Sequence, residues 1–187
     1  RQYMYMAAKQ DILVYAVIIF VLGACAYTYY RNNDAFQLKC IVSSVDGNKY
    51  CVREREKLQQ AADLLATITQ NCKALVEYLK GNHPQDERTI MLVNGFNPKK
   101  IMETLPTSSY TAYSENKGEK IAFCLSPKKK DGESDLIDEH TLMFVALHEL
   151  AHVCTKSIGH KQEFWENFKF LYENAKEAGI HERRDYG

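Results

Sequence analysis

Hydrophobic and polar positions divide the chain into segments of different period. The first segment, Ile12 to Tyr30 (ILVYAVIIFVLGACAYTYY), carries no charge and is bounded by Asp11 and Arg31. At about 1.5 Å rise per residue it approaches the roughly 30 Å hydrocarbon core of a bilayer. Tyr3 and Tyr5 before it and Tyr27, Tyr29 and Tyr30 at its end fit interfacial aromatics. No polar residue recurs at helical spacing to give a wet face, and no small-residue cleavage site follows, which disfavours a buried core helix and a signal peptide. The pattern predicts one transmembrane helix over residues 12–30, with 1–11 as its flank and 31–187 as the domain it anchors. Because the chain starts at Arg1, further N-terminal sequence is expected.

Beyond the span the periods shorten and alternate. Cys40 to Val52 (CIVSSVDGNKYCV) is two β-prone runs around Asp46-Gly47, a hairpin pattern. From Glu54 to Lys80, Leu58, Ala61, Leu65, Ile68, Cys72, Leu75 and Leu79 recur every three or four positions, which predicts a long amphipathic helix stopped by Gly81-Asn82 and Pro84. Thr89–Val93 (TIMLV) is a predicted strand and Pro98–Thr104 a predicted short helix opened by proline. The polar, tyrosine-rich stretch Ser109–Lys120 reads as a turn or strand pair, and Lys120–Leu125 (KIAFCL) as a strand. Residues 127–134 (PKKKDGES) form a lysine-rich loop tip.

The next segment is apolar on most faces: Leu142, Met143, Phe144, Val145, Ala146, Leu147, Leu150 and Val153 follow Asp138, a good N-cap. In its middle stand His148, Glu149 and His152, an H-E-x-x-H string. Histidines four apart share a helix face, so both imidazoles can reach one ion, while Glu149 is turned by about 100° and suits a base beside the metal. Without a metal, a carboxylate inside an apolar helix would lack a partner at a cost of several kcal/mol. A zinc hydrolase needs a third ligand. His160 is the first candidate, with Gly159 before it able to adopt a left-handed turn that ends the metal helix. A further helix follows, with Phe164, Trp165, Phe168, Leu171, Tyr172 and Ala175 as one apolar stripe. Glu163 ranks second as a ligand; Glu166 and Glu173 fall on its polar face. His83, His140 and His181 read as surface or capping residues.

Composition alters the picture in two places. Lys+Arg and Asp+Glu are 24 each, which argues against a dedicated nucleic-acid module with its basic excess. Outside the apolar span stand Cys40, Cys51, Cys72, Cys124 and Cys154, an odd number, and there is no Asn-x-Ser/Thr site. Both lean towards a reducing, cytosol-facing domain, the alternative being a Cys40–Cys51 pair across the hairpin. Positive charges flanking the span are balanced and set no orientation.

The string HELAH followed by Gly159-His160-x-x-Glu163-Phe164-Trp165 resembles the SprT-like and WLM (Wss1-like) zinc metalloproteases. Residues 43–53, 95–100, 109–125 and 138–171 resemble more closely the metalloproteases of large nucleocytoplasmic DNA viruses of the phycodnavirus kind. The resemblance implies an α+β, zincin-like domain with a small sheet packed on the HExxH helix. It also implies Zn2+ on His148, His152 and His160, Glu149 as catalytic base, a peptide or protein substrate, and a chain that continues past Asp185-Tyr186. The His152–His160 interval departs from metzincin spacing, and no DNA-binding tail is visible, so no nucleic-acid partner is expected. For the oxyanion, Tyr110, Tyr113 and Lys120 are candidates, and the strand at Lys120–Leu125 is a candidate to pair with substrate. The resulting expectation is a membrane-anchored zinc peptidase. The alternative is a structural virion protein, a minor capsid component linking the internal membrane to capsid proteins on a zincin-like scaffold.

Overall fold

The computed structural model describes residues 2–32, 38–126 and 135–182. It divides into two units, Arg1–Gln37 and Leu38–Gly187. The described residues of the first form one helix, α1 (Gln2–Asn32). The sequence expectation of a transmembrane anchor is corrected here: among the described residues, no helix is long and apolar enough to cross a membrane. The apolar stretch of α1 ends in Tyr27, Thr28, Tyr29 and Tyr30. The transmembrane part of the expected fold, the lipid partner and the single-pass membrane localisation lose the feature they rested on.

The second unit is a mixed α+β domain. A hairpin of β1 (Lys39–Val42) and β2 (Lys49–Val52) turns through Gly47 at φ 72°. Cys40 and Cys51 are directly opposed across it and form a disulfide. That replaces the expectation of reduced cysteines, because cross-strand partners bring the two sulfurs together whatever the count of the others. α2 (Leu58–Asn82) carries the predicted period and buries Ala61, Leu65, Ile68, Cys72, Leu75 and Leu79.

Two elements change type. The run TIMLV lies inside α3 (Glu87–Gly95), not a strand. Asp86 caps this helix by accepting from Arg88 N–H, and Thr89 and Leu92, three apart, are its buried positions. Conversely, the stretch expected as a helix over 98–104 contains β3 (Ile101–Glu103). Its backbone is claimed by the sheet: Ile121 N–H donates to Lys100 O and Thr104 N–H to Phe123 O.

The three-stranded sheet has the order β3–β5–β4, where β4 is Ala112–Glu115 and β5 Lys120–Phe123. β3 runs parallel to β5, and β4 pairs antiparallel with it through a turn whose Asn116 and Lys117 have φ 47° and 56°. α4 (Glu139–Val153) is capped by Asp138, which accepts from Thr141 N–H at 3.0 Å. α5 (Gln162–Glu177) closes the domain. One continuous core joins α2, the sheet, α4 and α5, with Phe123, Met143, Leu147 and Phe164 fully buried. Burying each such side chain contributes roughly 1.5–3 kcal/mol. Trp165, expected on the inward stripe, is half exposed. The lysine-rich tip at 127–134 lies outside the described residues.

Candidate metal centre

α4 is held rigid by burial of Leu142, Ala146, Leu147, Leu150 and Val153, so the side chains on its remaining face have defined positions. His148 and His152 are on that face, one turn apart, with ring centroids 5.0 Å apart. The helix ends at Val153 with Cys154 as its cap, earlier than Gly159. A loop then returns to His160, and Gly159 supplies a left-handed residue in it at φ 81°. His160 Nε2 lies 3.0 Å from His148 Nε2 and 3.2 Å from His152 Nε2.

Glu163, second among the ligand candidates, is occupied elsewhere. Its carboxylate accepts the backbone N–H groups of Lys156 at 2.9 Å and Ser157 at 3.1 Å. The nearby Ser157 side chain and those two amides hold it below the usual carboxylate range. Glu163 therefore ties down the loop that delivers His160. Phe164, fully buried, packs under all three imidazoles at centroid distances of 4.8, 4.4 and 4.6 Å from His148, His152 and His160. The sequence placed Phe164 only in a core stripe; its spacing of four from His160 was the available signal. Glu166 remains on the surface beside Gln162, whose amide donates to it.

The C-terminal end of α4 is secured beside the histidines. Asn167 Nδ2 donates to Cys154 O and Thr155 Oγ1, both at 3.0 Å, and Lys117 Nζ donates to Thr155 O. Lys117 reaches there from the β4–β5 turn. Gly95 and Gly118 let that turn pack closely, since a Cβ on Gly95 would meet Lys117 O at 2.5 Å and Val153 at 2.9 Å. Glu149 is 5% exposed and forms no hydrogen bond or ion pair among the described residues. Burial pushes its carboxyl up to about 7. Burial, then His148, His160 and Lys117, push His152 down to about 4; burial and His160 lower His148 too. Both imidazoles are thus kept neutral, with lone pairs available.

The donor set fits a metal ion. The three ligand nitrogens all lie within 4.8 Å of one another. Nitrogens at about 2.0–2.1 Å from one tetrahedral zinc would be about 3.4 Å apart, close to the spacing found. Three imidazole nitrogens converging on one point cannot all be satisfied by hydrogen bonds to each other, because each bond uses one N–H and one lone pair. A cleft of about 790 Å³ opens over them, lined by Tyr110–Ser114, Phe144, Glu149 and Ile158 among others. Tyr110 and Tyr113 reach it; Lys120 is instead directed to Glu115, at 3.3 Å, and does not line it.

A family model described as the WLM domain matches residues 55–184. The chain belongs to the WLM domain family. That family is associated in general with zinc metalloprotease activity. Relatives include the uncharacterized protein R325 of Acanthamoeba polyphaga mimivirus, 28% identical over 150 residues, which cover 78% of this chain and 75% of that protein. Another is the uncharacterized protein 136R of Invertebrate iridescent virus 6, 39% identical over 62 residues, or 33% of this chain and 34% of that one. Both of these relatives are viral proteins, and neither shows a closeness to phycodnavirus sequences in particular. No solved structure matches the chain.

The other histidines of the WLM domain lie apart from the triad. His83 forms the C-cap of α2, its Nε2 2.9 Å from Asn174 Oδ1. His140 and His181 stack at 4.1 Å. His181, expected near the surface, is buried, because the chain after α5 folds back onto Phe144 and Tyr172.

Proposed function

We propose that this WLM domain is a zinc-dependent endopeptidase, with His148, His152 and His160 as the zinc ligands and Glu149 as general base. The observation that carries the proposal is three imidazole nitrogens converging on one point beside a buried, partnerless carboxylate. Zinc held there would supply a Lewis acid for the scissile carbonyl and lower the pKa of water in the cleft. Glu149 accepts a proton from the attacking water and returns it to the leaving amine. The wall of α4 and the Phe164 ring keep the three imidazoles and this carboxylate in fixed relative positions.

The substrate's main chain is held by β4. The strand first expected to do this, Lys120–Leu125, contains β5, the central strand with both edges paired. β4 is an edge strand of the sheet, and its residues Ala112, Tyr113 and Ser114 line the cleft. An extended peptide added there would hydrogen-bond through its backbone, whatever its sequence.

The test compares two variants in the full chain. Glu149→Gln retains the three histidines and should keep wild-type zinc content while cleavage of an unstructured protein falls by about 10²–10⁴-fold. His152→Ala removes a ligand and should give a metal-poor, less stable protein. If Glu149→Gln cleaves like wild type, Glu149 is not the base and the proposal fails.

A further inference from the structure

We infer that the cleft selects peptides with a bulky apolar or aromatic side chain next to the scissile bond, seated against Phe144, Val145 and Ile158. The inference rests on the peptidase reading of the same site and names the substrate class it would accept. Large apolar side chains are left in solvent around the triad: Ile158 is 88% exposed, Tyr110 66% and Phe144 39%, and all three line the cleft. Ile158 stands there on a loop that the Glu163 carboxylate fixes from Lys156 and Ser157. An apolar residue exposed on a pinned loop gains burial only when something apolar is set against it.

The charge of the lining points the same way. Apart from the histidines, its ionisable groups are Glu149 and Lys117, with the tyrosines. Lys117 Nζ is engaged by Thr155 O and lies 3.4 Å from His152 O, and Glu149 is buried. A charged substrate side chain seated against Phe144, Val145 and Ile158 would lose water without gaining a counter-charge from any of the three, which rejects it. Pairing with the β4 edge would send alternate peptide side chains toward and away from the cleft, so one side chain beside the scissile bond bears the selection.

The experiment uses the zinc-loaded full chain and two peptide hydroxamates that differ in one side chain, benzyl or carboxymethyl. Binding is read from the fluorescence of Trp165, the single tryptophan, whose ring lies 5.9 Å from that of His160. Cleavage is read in parallel on unstructured peptides carrying Phe or Asp at the position flanking the cleaved bond. The benzyl compound should bind at least about tenfold more tightly, the scale of a filled apolar pocket. Ile158→Ser, at an exposed position, should reduce that preference several-fold with unchanged zinc content and melting temperature. Equal affinities for the two compounds, no binding of either, or a preference unaffected by both Ile158→Ser and Val145→Ser would overturn the inference. A benzyl preference without any peptide cleavage would retain it and overturn the peptidase reading. Cleavage that is indifferent to Phe or Asp would do the reverse.

Discussion

The rings of His148, His152 and His160 each rest within 5 Å of the Phe164 ring, as measured between centroids. The geometry of the triad therefore depends on one aromatic side chain that ligates nothing. Phe164→Leu keeps most of the core contact and should cost about 1–2 kcal/mol of stability. Zinc affinity should fall further, by about 10–100-fold, as for other outer-shell partners of metal ligands. Titration against a competing chelator, alongside a thermal melt, separates the two effects. Glu163→Gln tests the loop in the same way. It leaves one carbonyl oxygen for two backbone N–H donors, so zinc affinity should drop by less than in Glu163→Ala. Equal losses in the two variants would mean that the carboxylate does not position His160.

Among the elements, α3 shows how a local cap decides type. The run TIMLV has strand composition, but Asp86 offers its N–H acceptor one residue before Glu87 and commits the backbone to a helix. Hydrogen bonding from the Arg88 side chain, opposed by partial burial, lowers the Asp86 carboxyl below its ordinary value. A folded-state pKa below the unfolded one, about 3.9, means that the stabilisation is present above that pH and is lost as pH falls through the folded value. Asp86→Ala should thus be less stable than wild type by about 1 kcal/mol near neutrality. The gap in urea midpoint should close progressively below about pH 4. A gap that stays constant into acid would show that Asp86 contributes nothing through its charge.

At the scale of the molecule, the hairpin and the three-stranded sheet are joined by a buried ionic knot. Glu103 on β3 is fully buried and accepts from Arg53 N–H at 2.8 Å and from the Arg55 guanidinium. Arg53 in turn donates to Thr104 O and Leu105 O at 2.7 and 2.8 Å. Glu103→Ala strands two largely buried guanidiniums and should cost about 3–5 kcal/mol in chemical denaturation. Reducing Cys40–Cys51, a bridge of sequence separation 11, should cost about 3 kcal/mol by loop entropy. Because the described residues from Leu38 onward share one core, a fragment beginning at Leu38 is expected to fold and bind zinc like the full chain. A fragment that melts early or fails to hold zinc would assign α1 a part in the fold.

The sequence by itself determined what depends on local period and short spacing. The hairpin at Asp46-Gly47, the long α2 and the Asp138-capped helix all follow from patterns within one or two turns. So does the pairing of His148 with His152, since 3.6 residues per turn fixes their common face. Tertiary structure decided whatever depends on partners distant in the chain. Ile101–Glu103 became a strand because β5 supplied its hydrogen bonds, and β4 rather than β5 became the open edge because β3 covered the other side. Glu163 could be told from a ligand only once its carboxylate met the Lys156 and Ser157 amides. The apolar run at 12–30 shows the same limit: a stretch of hydropathy states what a segment avoids, while its span and surroundings belong to the folded chain. Periodicity is written along one strand of covalent bonds, but a donor's partner is chosen in space.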